Sequence, residues 1–346
     1  MSDASPVLQV RDLSVAFGFD KKGMPRDGKK PLQVTDRVSF DIHAGEFFAL
    51  VGESGCGKSV TAMSILRLLP QPSAQIVEGS VLYKASDDAA PVDLAKLPLA
   101  DLQKVRGAEI ACIFQEPMQA LNPVVTIKKQ LLEVFKFCKR TTGGFMTVIR
   151  EMLTLAGFKD VNRVLDSYPH ELSGGMLQRV CIVMALLSKP RLIIADEPTT
   201  ALDVTVQAQV LAVLKDMASR MGTAVLLITH NMGIVSQYAD RVAVMYAGRI
   251  VEMGGVRDVI DNPMHPYTQG LLAAIPENHS DMRTMKSIPG SVPHPKDFVA
   301  GCRFADRCEK CANVPAEMRA QCQSAQLPPK QKAPDSPNHE ACCYYL

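Results

Sequence analysis

Gly52-Glu53-Ser54-Gly55-Cys56-Gly57-Lys58-Ser59 is the stretch that decides the reading of this chain. It fits the pattern G-x-x-x-x-G-K-[ST], in which glycines let successive backbone N–H groups converge on one anion. It follows Phe47-Phe48-Ala49-Leu50-Val51, a short apolar run that reads as a buried parallel strand, and it opens a helical segment from Ser59 to Leu69. A helix starting there points its positive end at the same spot. Lys58 then reaches the β- and γ-phosphates of a nucleoside triphosphate, and Ser59 ligates Mg²⁺. A chance Gly-rich turn would not explain the strand and the helix on its two sides.

A chain of 346 residues holds one large domain plus an appendage, or two domains. The formal net charge of +2 implies no broad polyanion-binding surface. No apolar run of about 18 residues occurs, so the chain is not expected to cross a membrane. The start, Met-Ser-Asp-Ala-Ser-Pro, lacks a basic region followed by an apolar one. The expectation is a cytosolic chain without a signal peptide, in which disulfides are disfavoured. Cys56, Cys112, Cys138 and Cys181 are scattered, whereas Cys302, Cys308, Cys311, Cys322, Cys342 and Cys343 crowd the end of the chain. In a reducing compartment that crowding suggests a metal site.

Outward from the loop, residues 7–17 alternate apolar and polar side chains and read as strand, residues 18–31 as an exposed hairpin loop, and Val38 to Ile42 as another strand. Further strands are expected at Ser80 to Tyr83 and Glu109 to Phe114. Residues 127–187 carry helical patterns only, as an inserted subdomain would. From Leu192 the chain alternates: strand to Ala195, helix Val204 to Met221, strand Val225 to Thr229, helix to Ala239. Alternation of this kind makes a mostly parallel sheet flanked by helices. Val242 to Met245 and Arg249 to Glu252 read as terminal strands. Beyond His265 the texture turns to Pro, Cys and polar residues, which places a boundary there and a small stapled appendage after it.

Two further motifs carry chemistry. Leu192-Ile193-Ile194-Ala195-Asp196-Glu197 is a buried strand ending in two carboxylates, and ligands of α/β sheets bind beyond strand carboxyl ends. Asp196 is placed to hold Mg²⁺, and Glu197 to polarise a water for attack on the γ-phosphate. Leu172-Ser173-Gly174-Gly175-Met176, followed by Gln178-Arg179, reads as a Ser-capped helix start and hence a second anion site. One nucleotide does not need two phosphate cradles in one chain, so the second cradle serves a nucleotide held on a partner.

At this point the chain resembles the ATPases of ABC transporters, whose two nucleotide-binding domains sandwich ATP head to tail. It resembles more narrowly those of dipeptide and oligopeptide importers, through Phe114-Gln115-Glu116-Pro117-Met118, Leu121-Asn122-Pro123 and the run Ala195 to Thr205. His265-Pro266-Tyr267-Thr268, Pro289-Gly290-Ser291-Val292-Pro293 and Gly301-Cys302 extend the likeness into the tail. The resemblance implies an α/β fold of the P-loop NTPase type. A nucleotide-binding domain at 1–264 would contain an antiparallel β subdomain and a helical subdomain at about 116–188. A cysteine-rich extension would occupy 265–346.

The resemblance also implies roles. ATP is bound by Gly52, Glu53, Ser54, Gly55, Cys56, Gly57, Lys58, Ser59 and Val60, with Phe17 stacking on adenine and Phe19 as the alternative. Gln115 senses Mg²⁺ and the attacking water, and His230 contacts the γ-phosphate. Ser173, Gly174, Gly175, Met176 and Gln178 serve the partner's ATP, and Asp203 in Ala201-Leu202-Asp203 signals across the dimer. Residues 116–126 meet the membrane subunits. Departures from the family are Met176 for Gln, Val60 for a hydroxyl residue and Cys56 for Ser, the last read as a small side chain with no redox role.

Cys302-x₅-Cys308-x₂-Cys311 with a fourth thiol suits tetrahedral Zn²⁺ or a [4Fe–4S] cluster, and spacing does not choose. The resemblance favours the [4Fe–4S] cluster with Zn²⁺ as the alternative, and Cys343 before Tyr344-Tyr345 as fourth ligand over Cys322 and Cys342. Its implied partners are two transmembrane permease subunits, a second ATPase that is usually a paralogue, and a periplasmic or extracellular solute-binding protein. The implied location is peripheral, on the cytoplasmic face of the cell (inner) membrane. The competing reading, a soluble ABC ATPase acting on nucleic acid or ribosomes, would want a tandem second ATPase half or a coiled coil and a basic surface. The chain has one phosphate loop, no heptads and a near-neutral charge, so no nucleic-acid partner is expected.

Overall fold

The computed structural model describes residues 5–138, 144–200, 202–275 and 288–346. Its centre is an eight-stranded sheet with two smaller units against it. In chain order, β1 (Leu8–Phe17) and β2 (Leu32–Ile42) pair antiparallel around the 18–31 loop, and β3 (Phe47–Val51) enters the large sheet. Then come α1 (Lys58–Ile65), β4 (Ala74–Tyr83), the short β5 (Val92–Asp93), α2 (Leu99–Val105) and β6 (Ile110–Ile113). Strands β2, β1, β4 and β5, in that order, form a separate four-stranded antiparallel sheet. The expected strands at Val38 and Ser80 are thus the ends of longer ones, because β1 supplies a full-length partner on each side.

Among its described residues the inserted stretch carries helices joined by turns and no strand: α3 (Pro117–Ala120), α4 (Ile127–Cys138), α5 (Phe145–Leu155), α6 (Val161–Asp166) and α7 (Gly174–Leu187). Cys138 closes α4. The chain then returns to the sheet with β7 (Leu192–Asp196), α8 (Val204–Met221), β8 (Ala224–Thr229), α9 (Met232–Tyr238), β9 (Arg241–Tyr246) and β10 (Arg249–Gly255). The remainder gives α10 (Val256–Asp261), α11 (Pro266–Ala273), α12 (Glu309–Asn313), α13 (Ala316–Cys322), β11 (Lys330–Ala333) and β12 (Ser336–Cys342). Among the described residues no helix is long and apolar enough to cross a membrane.

The large sheet runs β11-β12-β10-β9-β3-β8-β7-β6. Strands β9, β3, β8, β7 and β6 are parallel neighbours, and β10, β12 and β11 add antiparallel on one edge. Strands at Val242 and Arg249 were expected to be the last, but the tail contributes two more. A strand buried on both faces can be apolar throughout, as β3 is. Its alternation divides three cores: Phe47 faces the helical insertion, Phe48 and Leu50 face α1 and the antiparallel sheet, and Ala49 and Val51 face α9, α11 and the tail. Burying these side chains supplies about 25 cal/mol per Å² of apolar surface removed from water.

Candidate functional site

Four parallel strands deliver their carboxyl ends to one rim of the sheet. β3 runs into the 52–57 loop, β6 into Gln115, β7 into Asp196 and Glu197, and β8 into His230. The loop turns through Gly52, Gly55 and Gly57, all at positive φ. At Gly52 a Cβ would run into the Met245 carbonyl oxygen, so only glycine lets the loop lie against β9. α1 starts at Lys58, and its Nζ donates to the carbonyls of Gly52 (2.8 Å) and Glu53 (3.1 Å), folding the loop over its own lysine. Ser59 Oγ donates to Asp196 Oδ1 at 3.0 Å, joining the β3 and β7 rims. That all-oxygen pair suits a hard cation such as Mg²⁺, which keeps several waters and needs only one or two protein ligands. Burial pushes the Asp196 carboxyl above the usual carboxylate range; the Ser59 hydrogen bond pulls it down, and neighbouring Glu197 pushes it up again.

Glu197 sits in the left-handed region at φ 45°, a conformation costing a non-glycine residue about 1–3 kcal/mol. Its amide donates to the Ile228 carbonyl at 3.0 Å, which holds the bend. Its carboxylate meets Thr200 Oγ1 (3.0 Å), Gln115 Nε2 (3.5 Å) and His230 Nδ1 (3.3 Å). The fold therefore gathers Gln115, Glu197 and His230 around one carboxylate. Thr200 joins them without having been singled out in the sequence, because a Thr in a turn has no periodic signal. Of the two aromatic candidates Phe17 is half-buried and Phe19 is buried. Val60 is half-buried and packs with the α1 core. Cys56 is buried, and burial pushes its thiol up, as an inert small side chain requires.

Ser173 caps α7, its Oγ accepting from the Met176 amide at 3.4 Å. Ser173 and Gly174 are exposed, while Gly175 is buried against Val206 Cγ1 of α8. Gln178 departs from expectation. It is 1% exposed, and its Nε2 has no hydrogen-bond partner among the described residues. It lies within its own chain's core, because position 178 falls on the apolar face shared by Leu177 and Cys181. Asp203 caps α8, accepting from the Val206 amide at 3.0 Å; Ala201 lies outside the described residues.

In the tail, Cys302, Cys308, Cys311, Cys322 and Cys343 line one small cavity with Phe304, Tyr344 and Tyr345. Cys342 lines a different cavity, with Asp36, Arg249 and Arg303. Burial pushes the Cys302 thiol up to about 11 and the Cys322 thiol up to about 12, in the latter with Cys311 beside it. As arranged, no group of three or more His, Cys, Asp or Glu side chains among the described residues is placed to hold a metal ion. The arrangement of these side chains by itself thus defines no [4Fe–4S] or Zn²⁺ site. Without a metal, burial in this aromatic-lined pocket holds the Cys302 and Cys322 thiols neutral.

Two contacts join the tail to the loop. Arg307 forms a two-pronged ion pair with Glu53, Nη1 to Oε2 at 2.8 Å and Nη2 to Oε1 at 3.0 Å. Tyr267 Oη accepts from the Glu53 amide at 2.8 Å. Neither was marked beforehand as touching the loop. Tyr267 stood out only as part of His265-Pro266-Tyr267, and Arg307 not at all.

The fold and rim geometry are those of a P-loop nucleotide-binding protein with a helical insertion. Solved structures agree. The dimeric MJ0796 cassette in a post-hydrolysis state bound to ADP and Pi aligns with a TM-score of 0.60 at 24% identity, covering 72% of this chain and 99% of that one. Residues 35–200 match the ABC transporter family, and residues 251–314 match the oligopeptide/dipeptide transporter C-terminal region. The oligopeptide transport ATP-binding protein AppD of Bacillus subtilis is 46% identical, covering 88% of this chain and 89% of its own. The dipeptide transport ATP-binding protein DppD of the same organism is also 46% identical, covering 87% and 86%. This chain belongs to the ABC-transporter ATP-binding proteins of the oligopeptide and dipeptide branch, and is an ABC-type ATPase.

Proposed function

We propose that the chain is the energy-coupling ATPase subunit of a membrane importer for di- and oligopeptides or related solutes, acting as one of two nucleotide-binding subunits. The backbone amides of residues 52–60 cradle the triphosphate, Lys58 reaches its β- and γ-phosphates, and Phe17 stacks on adenine. Ser59 and Asp196 hold Mg²⁺, which when bound neutralises charge on the phosphates. Glu197, braced by Thr200, Gln115 and His230, orients and deprotonates the attacking water. A general base so placed is worth about 10²–10⁴-fold in rate. His230 also contacts the γ-phosphate, a role its place beside Glu197 supports.

One observation carries the two-subunit reading. α1, which follows the loop, packs in the core on one face of the sheet, and α7, with Ser173 at its start, packs in the core on the other. One chain therefore does not fold both cradles onto one nucleotide. Ser173, Gly174, Gly175 and Met176 instead serve the partner's ATP, and Asp203 beside them lies at the same seam.

Met118 and the 79%-exposed Val124 leave apolar surface on the 116–126 segment. That surface supports docking on the two permease subunits at the cytoplasmic face of the membrane, with a solute-binding protein on the far side. The domain division at 264/265 is part of the same proposal, the tail acting as an extension that completes the sheet. A metal bound by Cys302, Cys308, Cys311 and Cys343 would need these thiols to ionise and draw together. Their shared cavity is its support, and iron and zinc analysis of the full chain tests it.

The function is tested by deleting the gene and measuring uptake of labelled di- and tripeptides, with purification of the tagged chain from membranes. Lost uptake and recovery with permease subunits and a second ATPase are expected. Unchanged uptake and recovery of the chain alone would overturn the proposal.

A further inference from the structure

We infer that Arg307, carried by the C-terminal extension, is a positioning residue for the 52–59 loop, acting through Glu53; this rests on reading that loop as the nucleotide cradle. Glu53 is held from four directions. Its carboxylate takes both prongs of Arg307, its amide donates to Tyr267 Oη, and its carbonyl accepts from Lys58 Nζ and from the Cys56 amide. Arg307 is itself fixed. Its side chain is 8% exposed, Nε donates to the Pro289 carbonyl at 2.7 Å, Nη2 to the Gly290 carbonyl at 3.3 Å, and Nη1 to Tyr246 Oη at 3.3 Å. Its guanidinium lies over the rings of Tyr246 (5.6 Å) and Phe304 (6.0 Å), which pack against Tyr267. The carbonyls of the Pro289-Gly290 turn thus aim one guanidinium at one loop carboxylate.

The arrangement has two consequences. A loop built on three positive-φ glycines has many conformations, and the two tail contacts at Glu53 restrict them from outside. A carboxylate in a loop that cradles a polyphosphate repels it, and a two-pronged guanidinium cancels that charge while holding it in place. The extension therefore sets the loop's affinity for the nucleotide without touching the nucleotide itself.

The test measures KM and kcat for MgATP in the assembled transporter, with limited proteolysis of the tail after residue 265. Arg307→Ala should raise KM about tenfold with kcat changed much less, the pattern of lost binding. Adding Glu53→Gln to Arg307→Ala should recover only the part of that loss that comes from the uncompensated charge, and Arg307→Lys should fall between. An unchanged KM in Arg307→Ala overturns the inference. So does a raised KM that Glu53→Gln does not rescue while the tail becomes protease-sensitive, since Arg307 would then only tether the tail. If Arg307→Ala does not fold, Glu53→Gln in the native background decides. A raised KM with kcat changed much less, as loss of the ion pair predicts, supports the inference, and an unchanged KM overturns it. Lys58→Ala is the control for the underlying reading. If it binds ATP like wild type, the cradle reading fails independently of Arg307.

Discussion

The two sides of the eight-stranded sheet are built from different material. Strands β3, β7 and β8 are buried along their whole length and apolar up to their carboxyl ends, where β7 finishes in Asp196 and β8 in Thr229. At the other edge, Lys330-Gln331-Lys332-Ala333 and Ser336-Pro337-Asn338-His339-Glu340-Ala341-Cys342 form strands of mostly polar residues. The centre is held by area removed from water. The edge is held by particular polar bonds, above all Glu252 of β10. Its buried carboxylate takes His339 Nε2 of β12 at 2.7 Å and the amides of Met264 and His265 at 2.8 Å each. The difference teaches that the catalytic rim stands on the part of the fold that is hardest to deform, while the extension is attached by bonds that break singly.

The comparison breaks most readily at Leu50, which is fully buried in β3. Leu50→Ala should lower global stability by about 2–5 kcal/mol, read as a shift in the urea midpoint. His339→Ala should cost less, about 1–3 kcal/mol, because Glu252 keeps two backbone donors. That loss should appear as faster hydrogen exchange in residues 330–342 and 265–275, with the centre of the sheet unchanged. Equal global losses for the two variants would erase the distinction.

The smallest expected effect is one of pH. Burial pushes His265 from its ordinary 6.5 down to about 3, so the folded chain holds it neutral where the unfolded chain protonates it. Its contribution is complete above pH 6.5 and is lost as pH falls toward 3, with a slope of at most about 1.4 kcal/mol per pH unit. Asn in its place still caps α11, so His265→Asn should flatten that part of the stability profile; an unchanged slope would assign it to other groups.

The same contrast explains what could be read beforehand. The 52–59 loop, the Asp196-Glu197 strand end and the capped α7 were legible because each is local, a fixed spacing on one strand–turn–helix. The parallel strands were legible because burial on both faces leaves apolar runs. β11 and β12 were missed because an edge strand with polar side chains looks like loop. Thr200, Tyr267 and Arg307 were missed as site neighbours because their contacts span the chain. Arg307 meets Glu53 across 254 positions, and no periodicity records such a pairing. Gln178 was misplaced because the motif suggests which residues share a helix start, while the helical face decides which of them reach the surface.

The central claim is that Glu197 activates water in a composite site closed by two subunits. The most direct measurement is ATP turnover and nucleotide retention by the assembled transporter carrying Glu197→Gln. The expected result is that ATP is still bound, that the two ATPase subunits stay associated around it, and that turnover falls by about 10²–10⁴-fold. Undiminished hydrolysis, with ATP released as readily as from the wild type, would contradict it.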